Sequence, residues 1–599
     1  MNPRPWQLQR NLSFPSALAK GNFVVIVETM RRRANSKVCF CAFLSLFAFL
    51  SISFYGSSRD VYYQADLNFP PIRPKITYPS SHAITENVEE LTGRLNSGGS
   101  TVRDSSVESV SVLLPDWEVL MIVSPGSVVN SGERLWCLYA NNATSKAIFA
   151  GVLPSTNQTT FKCWFPESAR RRKMFLQPVL LTRSPEKEKS SEAAPIMIKW
   201  RFMAYESFST EDDVVLFVKG VNNRQGINRS PSDFKCVFGN NGVKTAVTSS
   251  TQEVFRCPHP NLTEVDSGGD DERLQIKVSL EISGENLVVP SVAYYTPPST
   301  IALPRRKSLL CACTMVYNAA KFLREWVTYH SKIGVDRFIL YDNDSDDDLQ
   351  TVVKDLNQEG YAMETLLWIW PKTQEAGFSH GAVYVNDSCT WMMYTDVDEF
   401  IFAPNWNNSE HPSDQMLKSL LPDTAKSSSS KQRHHHHRIG QVSFSCNEFG
   451  PSDQKQHPVE GVTQGYTCRR QEENRHKSIV LLDAIDHSLL NVIHHFGLKE
   501  NYRSKQVRME VGLVNHYKYQ TWPEFKSKFR RRVSAYVVDW RKASNPNSKD
   551  RTPGLGFEPI EPKGWAHKFC EVRDERLKLL TQAWFGNQTS NGLKMAWQR

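Results

Sequence analysis

SLLCACTMVYNAAKFLREWVTYHSKIGVDRFILYDNDSDDD, residues 308–348, decides the fold. Leu309 to Val316 form a nearly continuous apolar run of strand length. Phe322, Trp326, Tyr329 and Ile333 then recur at helical spacing, with charges on the other face. Gly334 stops that helix. Val335 to Tyr341 make a second strand, which ends in Asp342, Asn343 and Asp344. Further on, Ala362 to Trp370 read as a third strand and the stretch around 376–388 as a helix. Strands alternating with helices imply a parallel sheet. Ligands of such sheets bind at the carboxyl ends of the strands.

The next strand carries the chemistry. WMMYTDVDEFIF, residues 391–402, runs from apolar Trp391–Tyr394 straight into Asp396, Asp398 and Glu399. Burying unpaired carboxylates costs several kcal/mol, and no Lys or Arg lies within this motif to neutralise them. A divalent cation is the expected partner. Hard ions such as Mg²⁺ and Mn²⁺ prefer carboxylate oxygens and share them with substrate phosphates. The D-x-D spacing lets two carboxylates reach one metal–phosphate complex from a short turn.

Several ordered blocks then match one family. Asn318 and FLREWVTYH (322–330), GVDRFILYDNDS (334–345), GFSH (377–380), DVDEF (396–400), HKSIV (476–480) and NHY (515–517) resemble glycosyltransferase family 92 over residues 308–540. The resemblance implies an α/β catalytic domain of GT-A type, Rossmann-like and nucleotide-sugar-binding. It also implies inversion at the anomeric centre and dependence on Mn²⁺ or Mg²⁺. Plant relatives include pectic galactan β-1,4-galactosyltransferases, so UDP-galactose is the implied donor and a cell-wall glycan the implied acceptor. On this resemblance Asp396, Asp398 and His516 hold the metal, with His494 the second choice of histidine. Asp342, Asp344, Asp396 and Lys477 bind the nucleotide sugar, Lys477 as a point charge on phosphate. Inversion needs a general base. Glu399, Glu448, Asp483 and Asp486 are the nearby candidates, and spacing does not choose among them. Two positions depart from the family. Ala319 stands where many members carry Glu, and Gly381 where many carry Cys.

Composition fits a large protein of the secretory pathway. The 599 residues are 40% hydrophobic and 11% aromatic, enough for several buried cores. The net charge of +9 is concentrated at the start: residues 1–55 carry +6 and the remainder +3. The body is therefore no polybasic nucleic-acid binder. Runs such as Arg170–Lys173 and Arg530–Arg532 read as solvated faces. Val38 to Tyr55 is uncharged and would span about 27 Å as a helix. Arg31–Arg33 and Lys37 precede it, which puts residues 1–37 in the cytosol. A cleaved signal peptide is the rival reading, opposed by the long polar leader and the lack of a small-x-small cleavage site. Met30 is an alternative start. The expected protein is a single-pass type II Golgi membrane protein with a lumenal body.

Of the twelve cysteines, Cys39 and Cys41 fall in the span and the other ten suit an oxidising lumen. The contexts CLYANN…FKCWFP and CVFGNN…FRCPHP repeat, so Cys137 is expected to pair with Cys163 and Cys236 with Cys257. Cys446 with Cys468 is the expected third pair. Cys311, Cys313, Cys389 and Cys570 have no assigned partners. Sequons at Asn142, Asn157, Asn228, Asn261, Asn407 and Asn587 suit surface glycans; those at Asn343 and Asn386 fall inside the motifs. Residues 56–110 read as a flexible stem and 111–300 as one or two β-sandwich-like modules, a spacer or a glycan binder. Residues 301–543 form the catalytic domain and 544–599 a C-terminal appendage. His434–His437 belong to a low-complexity insertion rather than a metal site. Two other functions compete: an inactive fold serving as lectin or scaffold, and a metal-dependent phosphohydrolase or nucleotidyltransferase. The intact acids oppose the first. The lack of a Walker-type loop or paired His-Asp cluster opposes the second.

Overall fold

A computed structural model describes residues 106–598, apart from 126, 128, 130–131, 171–173, 184–193, 223–227, 266–274, 299–305, 423–437, 493, 535–560 and 591. The proposed span 38–55, the stem up to residue 105 and the His434–His437 tract lie outside the described residues, and residues 106–110 of the expected stem already belong to strands. No helix among the described residues is long and apolar enough to cross a membrane.

The α/β sheet begins as the sequence predicts. Strand β1 is Ser308–Val316, helix α1 Ala320–Lys332, β2 Arg337–Asp342, α2 Leu349–Gln358, β3 Met363–Leu367, α3 Gln374–Tyr384 and β4 Cys389–Tyr394. The third strand is shorter than expected: the N–H of Trp368 still donates to the Asp342 carbonyl at 2.7 Å, but Trp368, Ile369 and Trp370 lie beyond the strand and are buried in a core. Strands β1 to β4 are parallel in the order β3-β2-β1-β4. The chain winds outward from β1 through β2 and β3, then returns to the other side of β1 with β4. That reversal opens a crevice at the carboxyl ends of the strands.

Each central strand is buried on both faces, which is why it reads as a continuous apolar run. Alternate residues enter two different cores. Leu310, Ala312, Phe338, Leu340, Trp391 and Met393 pack with α1 and α2 residues. Cys311, Ile339, Tyr341, Met392 and Tyr394 pack on the opposite face, with α3.

Antiparallel and mixed strands extend the sheet: β5 Glu399–Phe402, β6 Arg438–Phe449, β7 Cys468–Leu481, β8 Tyr502–Gln506 and β9 Leu513–His516. The order continues β4-β7-β6-β9-β5, with β8 beside β6. Helix α4, Trp522–Ser534, follows, then β10, Val572–Arg573, and α5, Arg576–Phe585. The residues at the C-terminus are not an appendage. β10 pairs with β7, and Leu577, Leu580, Phe585 and Trp597 join the α1-side core.

The region before the α/β sheet is β-rich. Eight strands between Ser106 and Lys199 form one sheet. A four-stranded and a five-stranded sheet follow between Met203 and Tyr295 and enclose a core of Leu216, Phe255, Phe234, Phe238 and Leu280. Strand Val214–Lys219 joins this region to the α/β sheet. Val214, Leu216 and Val218 face the β-module core, whereas Val215 and Phe217 face the α/β core beside Trp368 and Trp370. Lys219 donates to the carbonyl of Pro371 at 2.8 Å and pairs with Glu253 at 3.2 Å. The segments on either side of residue 300 thus share buried surface.

Four disulfides are formed among the described residues: Cys137–Cys163, Cys236–Cys257, Cys311–Cys389 and Cys468–Cys570. The expected Cys446–Cys468 pair is wrong. Cys446 is buried and free on β6, and β10 carries Cys570 to Cys468 instead. Non-reducing peptide mapping is expected to recover Cys468 joined to Cys570, and Cys446 alkylated only after unfolding. Cys313 is free as well. A Cβ placed on Gly381 would lie 3.2 Å from its sulfur. Gly381→Cys is therefore expected to form a disulfide with Cys313, read as loss of a titratable thiol; a thiol gained instead counts against this geometry.

Glycine is required at one further point. Glu325 of α1 accepts from the backbone N–H of Val462 at 2.7 Å and of Thr463 at 3.0 Å. Gly461, at φ +109°, brings the chain so close that a Cβ would overlap the Glu325 carboxylate. Gly461→Ala should destabilise the protein by about 1–3 kcal/mol in denaturant unfolding.

Candidate functional site

The acidic turn is built from its own backbone outward. After β4 the chain turns between Asp396 and Glu399, whose N–H donates to the Asp396 carbonyl at 3.0 Å. Glu399 Oε2 accepts from the Asp396 N–H at 2.9 Å, and the Asp398 carbonyl accepts from the Tyr517 N–H at 2.9 Å. β5 then pairs antiparallel with β9, which places Glu399 directly opposite His516. β9 also pairs with β6, which sets Glu448 on the other side of His516.

Three groups converge here. Asp398, Glu399 and His516 each offer an atom within 4.8 Å of the others, and all three residues are buried. His516 Nδ1 lies 3.4 Å from Glu399 Oε1, and Nε2 lies 3.8 Å from Asp398 Oδ2. His516 Nδ1 has no hydrogen-bond partner of good geometry among the described residues. Buried polar atoms without such partners are uncommon. An oxygen- and nitrogen-ligated divalent cation suits the three groups.

The fold also supplies cations that the motif lacks. Lys477 of β7 approaches Glu399 at 2.7 Å and Asp396 at 3.2 Å. Its ammonium also lies 2.7 Å from His494 Nε2. Lys528 of α4 reaches Asp398 at 2.5 Å. The expectation that a metal alone must neutralise these acids is thereby corrected.

Electrostatics divides the acids. Burial pushes Glu399 up to about 8, only partly offset by Lys477. Burial acts the same way on Asp396, but Lys477, His494 and His516 outweigh it and hold that carboxyl well below the usual range. Burial would lower Lys477, yet Asp396 and Glu399 keep it above its ordinary value. Burial, reinforced by Lys477 and Lys518, holds His516 well below its ordinary value. Its imidazole is therefore neutral at pH 7, the form that ligates metals.

The other candidates fall in distinct places. Asp342 ends β2, buried, and accepts from the Ser345 N–H at 2.9 Å; burial raises its pKa. Asp344 follows at φ 72°, paired at 2.8 Å with Lys162 of the N-terminal sheet. Both stand at the same sheet edge as Asp396. Asn343 is buried and donates to the carbonyls of Trp368 and Trp370, whereas the six surface sequons have exposed asparagines.

The four base candidates do not form a set. Glu399 staples the turn from inside. Glu448 is buried against Lys518 at 2.6 Å, Tyr519 at 3.2 Å and Arg470 at 3.6 Å. Strand register puts Asp483 at the opposite end of the sheet, because β7 runs antiparallel to β4 and Leu481 already faces Trp391. Asp486 is tied into its own loop by the Ser488 N–H at 2.9 Å. Sequence reading did not find Lys528, which sits on an amphipathic helix with no motif to mark it. Nor did it place Glu399 among the ligating atoms, because a strand-end acid reads like its neighbours.

Comparison with known proteins agrees with the motif reading. The family model for glycosyltransferase family 92 matches residues 306–552. A glycosyltransferase family 92 protein of Arabidopsis thaliana is 35% identical over 94% of this chain and 94% of its own length. One from Ricinus communis is 38% identical over 82% of this chain and 84% of its own. One from Oryza sativa subsp. japonica is 35% identical over 92% of both chains. Among solved structures, a mannosyltransferase from Pyrobaculum calidifontis in complex with GDP-Man and Mn²⁺ is a remote likeness. Its TM-score is 0.23 at 11% identity, over 41% of this chain and 66% of that one.

Proposed function

The chain belongs to glycosyltransferase family 92, and from that premise we propose that it is a metal-dependent, inverting GT-A transferase. It moves a sugar, galactose from UDP-galactose, onto a glycan acceptor of the cell-wall polysaccharide class. It works as a single-pass type II protein of the Golgi membrane with its catalytic body in the lumen. The observation that carries the catalytic part is the buried group Asp398, Glu399 and His516 at the carboxyl edge of the sheet.

Asp398 and His516 are the residues that would hold Mn²⁺ or Mg²⁺, with Glu399 closing the group. Such an ion neutralises charge developing on a leaving diphosphate. Glu399 fixes the turn that aims Asp398. Lys477 orients Asp396 and Glu399 from below, buried rather than open to a phosphate. Asp342 and Asp344 stand across the crevice, on the side proposed for the nucleoside.

The test is a screen of the purified protein against UDP-sugars with Mn²⁺ and with EDTA, the product anomer read by NMR. UDP release with UDP-galactose, dependent on Mn²⁺, is expected. Consumption of no UDP-sugar under any metal, with glycan binding retained, would replace this reading by the lectin or scaffold. For topology, protease added to intact microsomes should leave residues 100–599 protected. Their digestion would sink the lumenal placement.

A further inference from the structure

The two ammonium groups at the acidic turn differ in access. The Lys477 side chain is 4% exposed and held by Glu399, Asp396 and His494. The Lys528 side chain is 32% exposed, and its only ion-pair partner among the described residues is Asp398 Oδ2, at 2.5 Å. Its helix is anchored through Glu524, which pairs with Lys321 of α1. Its ammonium lies 5.8 Å from the centre of the Phe322 ring.

Asp398 Oδ2 is also the oxygen that faces His516 Nε2, 3.8 Å away. A divalent cation held between Asp398 and His516 would therefore claim the same oxygen as Lys528. A dication and an ammonium on one carboxylate oxygen repel each other. A lysine head on a flexible four-carbon stem can swing away while its helix stays in place. A metal sharing its coordination with phosphates would bring an anion within reach of that lysine.

We propose that Lys528 is an exchangeable counterion, which neutralises Asp398 until a divalent cation takes that oxygen and then moves to the diphosphate of the donor. The inference rests on the metal-dependent reading above. It makes α4 part of the donor site, with Lys528 rather than Lys477 as the phosphate-binding lysine.

The test is isothermal titration of the purified full chain with Mn²⁺ alone, and then with UDP at saturating Mn²⁺. Lys528→Met is expected to bind Mn²⁺ several-fold more tightly, because a competitor is gone. The same variant should bind UDP about tenfold more weakly. Lys528→Arg, which keeps the charge, should restore UDP affinity. A merely structural lysine would not tighten Mn²⁺ binding on removal. Wild-type protein that binds Mn²⁺ and UDP, with Lys528→Met indistinguishable from it in either titration, overturns this inference and leaves the metal reading standing. Wild-type protein that takes up no Mn²⁺ overturns both.

Discussion

Asp398→Ala is expected to lower the transfer rate roughly a hundredfold or more, equivalent to about 3 kcal/mol of lost transition-state stabilisation. Two features make this residue the sensitive one. Its carboxylate faces both His516 and Lys528, so the candidate metal-holding histidine and the more exposed lysine meet at it. Its backbone contribution is separate: the carbonyl accepts from the Tyr517 N–H whatever the side chain. The turn should therefore survive the substitution, with a stability loss of only about 1 kcal/mol from the stranded lysine. Transfer and melting temperature measured together, with and without Mn²⁺, separate site from fold. Near-normal, EDTA-insensitive transfer in this variant would end the metal-site reading.

The second large effect is on folding. Trp368→Ala should cost about 3–5 kcal/mol of stability, the range for removing a large buried aromatic. Trp368 is fully buried where the N-terminal strands meet the catalytic sheet. Its ring contacts Tyr205 and Phe217 on one side and Tyr341 and His380 on the other. Its Nε1–H donates to Thr373 Oγ1 at 2.8 Å. The loss would therefore be felt by both parts of the chain. A single cooperative transition at lower denaturant is the expected result. A loss below about 1 kcal/mol, or two separated transitions with only one displaced, would show that the two parts fold independently.

That shared core was not legible in the sequence. VVLFVKG reads as a strand, and its uniform apolarity says both faces are buried, but nothing local says that they enter different cores. The catalytic half was far more legible. Strand and helix periods from 308 to 394 came through with shifts of a residue or two at most ends, because burial of one helix stripe or both strand faces imposes those periods directly. One departure, β3 ending before Trp368–Trp370, occurs where long-range packing against Tyr205 overrides strand propensity. Cysteine pairing divided the same way. The pairs closed within one repeat, Cys137–Cys163 and Cys236–Cys257, could be read from context. Cys468–Cys570 could not, since it depends on where a strand 102 residues away returns.

The site follows this division. The sequence by itself determined that acids end two parallel strands of one sheet, at Asp342 and at Asp396–Asp398, because strand direction and strand end are written in the local pattern. It also supplied His516, through a motif rather than through spacing. Only the tertiary structure decided which charges meet. Glu399 and His516 are opposed by the register of β5 and β9. Asp483 was removed to the far edge by the antiparallel course of β7. Lys528 was delivered to Asp398 across 130 residues. Ionic contact depends on distance through space and on burial, and neither is encoded in the order of neighbouring residues.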